Sequence, residues 1–409
     1  MNRDRVPPVW VLALPWLTFG MLTGFIIVTL PQLLVSDGLS NARIAVVVAI
    51  VLSPMFWNFL FAPLLDIGFR RRTYAVIFGV LAVVLTATTI DHHGSISEVE
   101  GMMVGGFLAA CMFQSAIGGW VGSLVDRTED GRLGAWSTIC NIFGSGAGIL
   151  LSGYAVRRFS PTAAAAFIFA TFLAPLVVIP SIPATAREQD QLRESFGRFA
   201  GEVGALLRRA EVRVALCLFA LPAASFALSN TLGSWSTAFH ATPAFVSEVS
   251  GIGLMLGGVC GCALVPRLAR RIALRPLYLA IGCAGAVFTL TLLMLPHAPG
   301  TFALAFVGET FFSSAAIAAG AAIIFDVIGR GGALAATTYA LLIAALNLPI
   351  DYMEFIDARG YRWHGIAGAL LTDALVSGGV CVLLAIFLRR RLRPVLLPGQ
   401  SERQTAADA

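Results

Sequence analysis

Hydrophobic stretches long enough to cross a lipid bilayer recur twelve times along the chain, six on each side of a charged segment at about residues 184–212. A bilayer core of about 30 Å needs roughly 20 apolar residues of helix, so each stretch is a candidate transmembrane helix. The pattern predicts an all-α membrane protein with two six-helix bundles, residues 1–183 and 213–391, joined by a linker at 184–212 and followed by a tail at 392–409. The predicted spans are residues 8–34, 41–65, 73–90, 100–125, 133–156, 161–183, 213–238, 244–268, 276–296, 300–327, 333–352 and 364–388.

The composition supports this interpretation, because 57% of the 409 residues are hydrophobic and only 12% are charged. All 28 basic residues are arginine, and they form no basic patch or tail, so we predict no nucleic-acid partner. If the N-terminus is cytoplasmic, 23 of these arginines fall on the cytoplasmic side and 5 on the outer side. Because cytoplasmic loops carry an excess of Arg and Lys, we predict that both termini lie in the cytoplasm.

The two halves of the chain look like diverged copies of one unit. Arg72 and Gly79 bracket the start of the third span with the same spacing as Arg275 and Gly282 at the ninth. Asp126 and Asp326 close the fourth and tenth spans, and a Gly/Arg-rich turn with Arg132 or Arg330 follows each of them. Two six-helix repeats joined by a cytoplasmic loop resemble the plan of major facilitator transporters, whose substrate site lies between the halves near the midplane.

The linker itself has a helical pattern. Leu192, Phe196, Phe199, Val203 and Leu206 recur at steps of three and four and form one apolar stripe. Such a stripe predicts an amphipathic helix on the inner membrane surface. The alternative is an ordinary, partly helical linker.

The turn after the second span carries Asp66 followed by Arg70, Arg71 and Arg72. A carboxylate at a helix end can hold an arginine or a neighbouring helix end by charge-assisted hydrogen bonds. We therefore predict a gate that locks one access state, and the alternative for the arginines is that they only determine topology. The residues predicted for this gate and its counterparts are Asp66, Arg70, Arg71, Arg72, Asp126, Arg132, Asp326 and Arg330.

Two carboxyl groups fall deep inside predicted spans. Glu309 lies about nine residues into the tenth span, and Asp373 lies at a similar depth in the twelfth. Acids inside a membrane are costly and usually face a partner, water or a substrate, so these two are candidates for proton or substrate linkage. The alternative is a neutral acid that hydrogen-bonds a neighbouring helix. We expect Asp351, Glu354 and Asp357 to lie near the outer interface, without being buried.

Neutral polar residues within spans form a second group, which lines a solute path or cross-links helices. Its members are Gln32, Asn58, Gln114, Asn141, Asn230 and Asn347. Gly253, Gly257 and Gly261 form a stripe in the eighth span, for which close helix packing is a sufficient explanation. The seven cysteines and five histidines have no metal-site spacing, and no phosphate-binding loop is present, so we predict no cofactor and no metal.

Several segments resemble the AmpG-like branch of the major facilitator superfamily, which includes muropeptide permeases and acetyl-CoA transporters. The matching segments are FGMLTGFIIVTLPQLLVSDGLSNARIAVV, FAPLLD followed by RRR, EDGRLGAWSTICNIFGSGAGILLSG, and FVGETFF around Glu309. The stretch from Gln114 to Gly119 and the acidic segment 351–357 differ from the family pattern, as does Asp373. The resemblance implies a permease fold, and related permeases that take up siderophores fit about as well.

Together these features predict a monomeric secondary transporter of the bacterial inner membrane. It would move a small solute by alternating access, with protons as the coupling ion and uptake as the direction. A non-transporting assembly or sensor factor on the same fold and a drug or metabolite exporter are the alternatives. An enzyme is not expected, because the sequence lacks a nucleophile–base pair near the interface.

Overall fold

A computed structural model describes residues 6–66, 69–90, 96–183, 204–329 and 334–387. These ranges are helical and contain no strand. Nine of their helices are long and apolar enough to cross a membrane, by length and composition. Three sequence predictions fall outside the described residues: the linker over 184–203, Arg330 and the tail 392–409.

The N-terminal half, residues 6–183, contains helices α1 to α6. A π-helical turn, Phe25–Thr29, interrupts α1, and Pro54 begins a short helix after α2 that continues in 3-10 turns to Asp66. The 3-10 segment Ala174–Ser181 follows α6 and contains two prolines, which cannot donate helical hydrogen bonds. The helices are α1 Val9–Ser36, α2 Asn41–Leu52, α3 Arg71–Thr88, α4 Ile96–Leu124, α5 Asp130–Arg158 and α6 Pro161–Leu173.

The C-terminal half, residues 204–387, contains α7 to α12. α7 begins at Ala210 and is interrupted after Ala220; it resumes at Leu228 and continues in the 3-10 segment Leu232–Phe239. The long helix Ala335–Phe387 is broken by non-helical backbone at His364 and Gly365, which separates α11 (335–363) from α12 (366–387). The others are α8 Pro243–Leu268, α9 Leu274–Leu292 and α10 Pro299–Ile328.

α11 and α12 form a tight hairpin. Gly365 has a φ of +61°, a conformation that glycine adopts without steric cost. Beyond the turn, a Cβ on Gly368 would collide with the carbonyl oxygen of Gly360. The two backbones therefore touch at this crossing, and neither position leaves room for a side chain.

Two boundaries differ from the sequence predictions. The eleventh span was predicted to end at residue 352, which is wrong, because α11 continues to residue 363. The acidic residues after position 352 led us to place this segment outside the membrane span, but they lie on a helix that buries one face. The predicted continuous span 213–238 is also wrong, since residues 221–227 are not helical.

Glycines allow close helix packing in both halves. In the N-terminal half, a Cβ on Gly144 or Gly148 of α5 would collide with the backbone of α1. In the C-terminal half, a Cβ on Gly257 of α8 would lie 2.8 Å from the Val307 carbonyl oxygen of α10. The packing role predicted for the glycine stripe of the eighth span is confirmed.

Candidate functional site

Asp66 holds the two halves of the molecule together at one end of the bundle. Its carboxylate is fully buried and accepts hydrogen bonds from Arg71 Nε at 3.0 Å and Arg71 Nη2 at 2.8 Å. It also accepts from the backbone N–H of Ala336 at 3.2 Å, and from the backbone N–H and hydroxyl of Thr337 at 2.8 and 2.7 Å. Arg71 belongs to the same half as Asp66, whereas Ala336 and Thr337 belong to the other half.

The position of Ala336 and Thr337 explains why a carboxylate fits there. They lie in the first turn of α11, where backbone N–H groups have no partner within the helix. The aligned peptide dipoles give this end a partial positive charge, which favours an anion. Asp66 thus acts as the cap of a helix that belongs to the opposite half.

Further contacts close this end of the bundle, which we call the Asp66 end. Trp16 Nε1 donates to the Tyr339 hydroxyl at 3.3 Å, from α1 to α11. Arg127 Nε lies 4.0 Å from Asp326 Oδ1, which adds an ion pair between the halves. A Cβ on Gly119 of α4 would lie only 2.5 Å from the backbone nitrogen of Ala336, so the helices approach almost to backbone contact.

The remaining residues predicted for the gate have more local contacts. Arg70 is exposed at the start of α3, and Arg72 donates to the Pro180 carbonyl at 3.4 Å within its own half. Arg132 pairs with Glu129, three residues earlier, at 2.9 Å. The last two described members are Asp126, which precedes the turn Arg127–Glu129, and Asp326, which also approaches Arg275 at 4.0 Å.

Three buried carboxyl groups lie in the part of the C-terminal half away from the Asp66 end. Glu309 on α10 is fully buried, and its Oε1 lies 2.6 Å from the hydroxyl of Thr289. Asp373 on α12 is 3% exposed, and Asp357 on α11 is fully buried. The three groups are near enough to one another to interact electrostatically. We call them the carboxyl cluster.

Four oxygens of the carboxyl cluster have no hydrogen-bond partner among the described residues: Glu309 Oε2, both oxygens of Asp357, and Asp373 Oδ1. An unpaired buried polar group is costly, so such groups usually mark a functional site or the position of an absent partner. The described residues contain no arrangement of three or more His, Cys, Asp or Glu that could hold a metal ion. A protonated carboxylic acid donates one hydrogen bond, so protonation would provide a donor among these oxygens.

Asp357 is the member that the sequence analysis missed, and the expectation that it is not buried is wrong. The physical reason is the length of α11, which places Asp357 six residues before the end of the helix and on its core face. A usable signal was present. Asp351, Glu354 and Asp357 follow one another at steps of three, and no Gly or Pro separates them.

The six neutral polar residues have different surroundings. Asn58 is buried and donates to carbonyls of its own helical segment, and Asn347 likewise donates to the Ile343 carbonyl at 2.9 Å. Asn230 donates to Glu354 Oε1 at 2.9 Å and links α7 to α11. Gln32 is exposed, whereas Gln114 and Asn141 are half-buried.

Solved structures with the same architecture include several transporters, all at low sequence identity. The human organic anion transporter MFSD10 (TETRAN) has a TM-score of 0.69 at 17% identity, covering 95% of this chain and 100% of that one. The proton:xylose symporter XylE has 0.67 at 15%, covering 96% and 97%. The E. coli fucose:proton symporter FucP has 0.63 at 14%, covering 93% and 97%.

No curated protein sequence matches the chain. The family model of the Major Facilitator Superfamily matches residues 12–349, which is most of the sequence. The helical architecture, the closed contact between two halves and the buried acids agree with that match. The chain is a multi-pass membrane protein that belongs to the Major Facilitator Superfamily.

Proposed function

We propose that the protein is a proton-coupled secondary transporter, rather than an enzyme, that takes up a small solute across the bacterial inner membrane. The observation that carries this proposal is the buried Asp66 carboxylate, which binds Arg71 in one half and the start of α11 in the other. A bond network of this kind can exist in one access state and break in the other. Alternating access requires such an element.

The membrane arrangement is part of the proposal. The chain then crosses the membrane twelve times. Nine crossings are the candidate spans, two are the interrupted segments of α2 and α7, and one more results because Gly365 divides the last long helix into two. An even number of crossings places both termini on one side, and the arginine distribution favours the cytoplasm. The Asp66 end is then the cytoplasmic gate, which is closed, and the carboxyl cluster lies in the outer half of the membrane.

The carboxyl cluster supplies the coupling in this proposal. Burial favours the uncharged form of a carboxylic acid, so a group that alternates between a dry interior and water exchanges a proton as it moves. We assign Glu309 and Asp373 to this role and add Asp357, whose two oxygens lack a partner. Related proton symporters, XylE and FucP, share the fold.

The resemblance to AmpG-like permeases supports a solute of the size of a muropeptide or a siderophore. The test is a flux panel with the purified full chain in proteoliposomes, using labelled muropeptides, siderophores, peptides, sugars and amines under an imposed proton gradient. We expect one compound class to accumulate, and the Glu309→Gln variant to lose accumulation while it folds normally. Glu248→Gln, at an exposed position of the same half, is the control.

An assembly or sensor factor would tolerate Glu309→Gln in its cellular role and would move none of the compounds. Flux without any dependence on the proton gradient would refute the coupling but leave transport standing. A wild-type chain that moves no member of the panel contradicts the proposed function.

A further inference from the structure

Away from the helix ends, the charged residues of the described helices are all acids and all lie in the C-terminal half. In the described helices α1 to α6, every charged residue lies within five residues of a helix end. In the C-terminal half, five acids lie deeper, and no arginine does. These acids are Glu309, Asp351, Glu354, Asp357 and Asp373.

Two of these acids lie on a half-exposed polar face of α11. Asn347, Asp351 and Glu354 follow one another at steps of four and three, which places them on one side of the helix. Neither Asp351 nor Glu354 has an ion-pair partner among the described residues, and Glu354 accepts one hydrogen bond, from Asn230. The face therefore presents two carboxylates that no cation of the described residues neutralises.

The break in α7 contacts α11 next to this face. The helix stops at Ala220, whose carbonyl accepts a hydrogen bond from the Tyr352 hydroxyl of α11 at 2.9 Å. Phe226 within the break has a φ of +48°, which is strained for a residue with a side chain. The end of a helix carries a partial negative charge. Broken helices of this kind form ion and substrate sites in other transporters.

An aromatic pair continues this face toward the end of α11 opposite the Asp66 end. Trp235 and Tyr361 stack with ring centroids 4.8 Å apart and an interplanar angle of 13°, and both are half-buried. Aromatic faces attract cations, so the pair, like the two carboxylates, favours a positively charged ligand. Arg359 and Arg362 lie nearer the end of α11, where they line a cleft of 630 Å³ with Trp363 and Thr372.

A buried group behind this face gives independent support. Asp357 lies three residues after Glu354, interacts with it electrostatically, and has no partner for either oxygen. The interaction continues to Glu309 and Asp373. The described charged groups that interact with Asp357, from the accessible face to the interior, are all acids, and they would repel an anionic ligand.

We propose that the polar face of α11 that carries Asp351 and Glu354, with Asn230 beside it, binds a positively charged group of the solute, namely a protonated amine. The carboxylates accept the N–H hydrogen bonds of the ammonium, and Trp235 and Tyr361 contact the adjacent carbon atoms. The inference deepens the proposed function and rests on it for transport, but binding itself is independent of transport.

The test uses three probes that share a chain of six carbon atoms and differ in charge: hexamethylenediamine, its neutral diacetyl derivative, and adipate. Binding to the purified full chain in lipid nanodiscs is measured by calorimetry and by thermal shift. We expect the diamine to bind at least tenfold more tightly than either other probe. We expect Glu354→Gln and Asp351→Asn to weaken diamine binding at least tenfold each, whereas Glu248→Gln leaves it unchanged.

Asn230→Leu provides a second variant, because it removes the side chain that hydrogen-bonds Glu354 but keeps both carboxylates, and it is expected to weaken diamine binding severalfold. Tighter binding of adipate or of the neutral probe overturns the proposal, as does a diamine that fails to bind or binds the Glu354→Gln variant normally. If the diamine binds but no amine is moved in proteoliposomes, the binding site stands and the transport function fails. If an anionic solute is transported and the diamine does not bind, the transport function stands and the proposed binding site is wrong.

Discussion

The N-terminal and C-terminal halves share a helical plan but differ in what their interiors contain. The described spans of the N-terminal half carry no charged residue away from the helix ends, and glycines bring α1 and α5 to backbone contact. The C-terminal half encloses three buried carboxyl groups and a broken helix, α7. The contrast concerns the middle of the helices, where acids occur in the C-terminal half and not in the described helices of the N-terminal half.

The two halves contribute different groups to their contact at the Asp66 end. The N-terminal half contributes the carboxylate of Asp66, and the C-terminal half contributes the start of α11. If the gate between the halves and the carboxyl cluster within one half act separately, a substitution in one should leave the other unchanged.

The largest effect is expected from Asp66→Ala. Hydrogen bonds to a charged group contribute about 1.5–3 kcal/mol each, and three bonds to the opposite half are lost. The Asp66 end should open. Spin labels at Arg132→Cys and Arg271→Cys, with the exposed Cys217 and Cys260 replaced by serine, should report a longer distance.

The control for that measurement is Glu211→Ala, which removes an exposed ion pair with Arg209 at 3.5 Å. Exposed pairs contribute about 0–1 kcal/mol, so the label distance should stay as in the parent protein. An unchanged distance in Asp66→Ala would show that the carboxylate does not hold the halves together.

The second effect concerns the carboxyl cluster. Asp357→Asn should lower proton-driven accumulation of the transported solute at least tenfold, because one proton-binding group is lost. Exchange of solute across the membrane without a gradient should persist, since it needs no net proton movement. Flux assays in proteoliposomes separate the two, and the spin-label distance at the Asp66 end should not change. Equal loss of exchange and accumulation would mean that Asp357 supports structure only.

A third, smaller effect is expected where the helices of the two halves approach most closely. Gly119→Leu places a side chain where the backbone of Ala336 lies, and overpacking costs about 1–3 kcal/mol. The Asp66 end should open partly in the same spin-label experiment. Gly146→Leu is the matched control, because nothing lies within 4 Å of a Cβ at Gly146. Similar distances for the two variants would contradict the close contact.

The smallest effect is expected from Tyr339→Phe, which removes the hydrogen bond from Trp16 but keeps the ring. A neutral hydrogen bond contributes about 0.5–1.5 kcal/mol, so the label distances should shift slightly toward the open population. A shift as large as that of Asp66→Ala would place the main strength of the gate at Tyr339 instead.

Much of the fold could be predicted from the hydropathy pattern, because lipid requires apolar helices of a minimum length. The motif around Asp66 also identified a residue with an unusual environment. Its contact with Ala336, however, is 270 residues away in the sequence, and no local pattern encodes such pairing. The burial of Asp357 and the break after Ala220 were missed. Both depend on tertiary packing, because packing decides whether an acid on a helix is buried and whether an apolar span stays helical throughout.

The hairpin between α11 and α12 has a consequence for the cycle of the molecule. Since the backbones touch at Gly360 and Gly368, the two helices are fixed to one another and travel as a unit. Asp357 lies one turn before that crossing, and Asp373 lies just beyond it on the other helix. A fixed crossing keeps the spacing of these two acids constant, so in the proposed transport cycle a proton bound by either acid would gain or lose only its access to water.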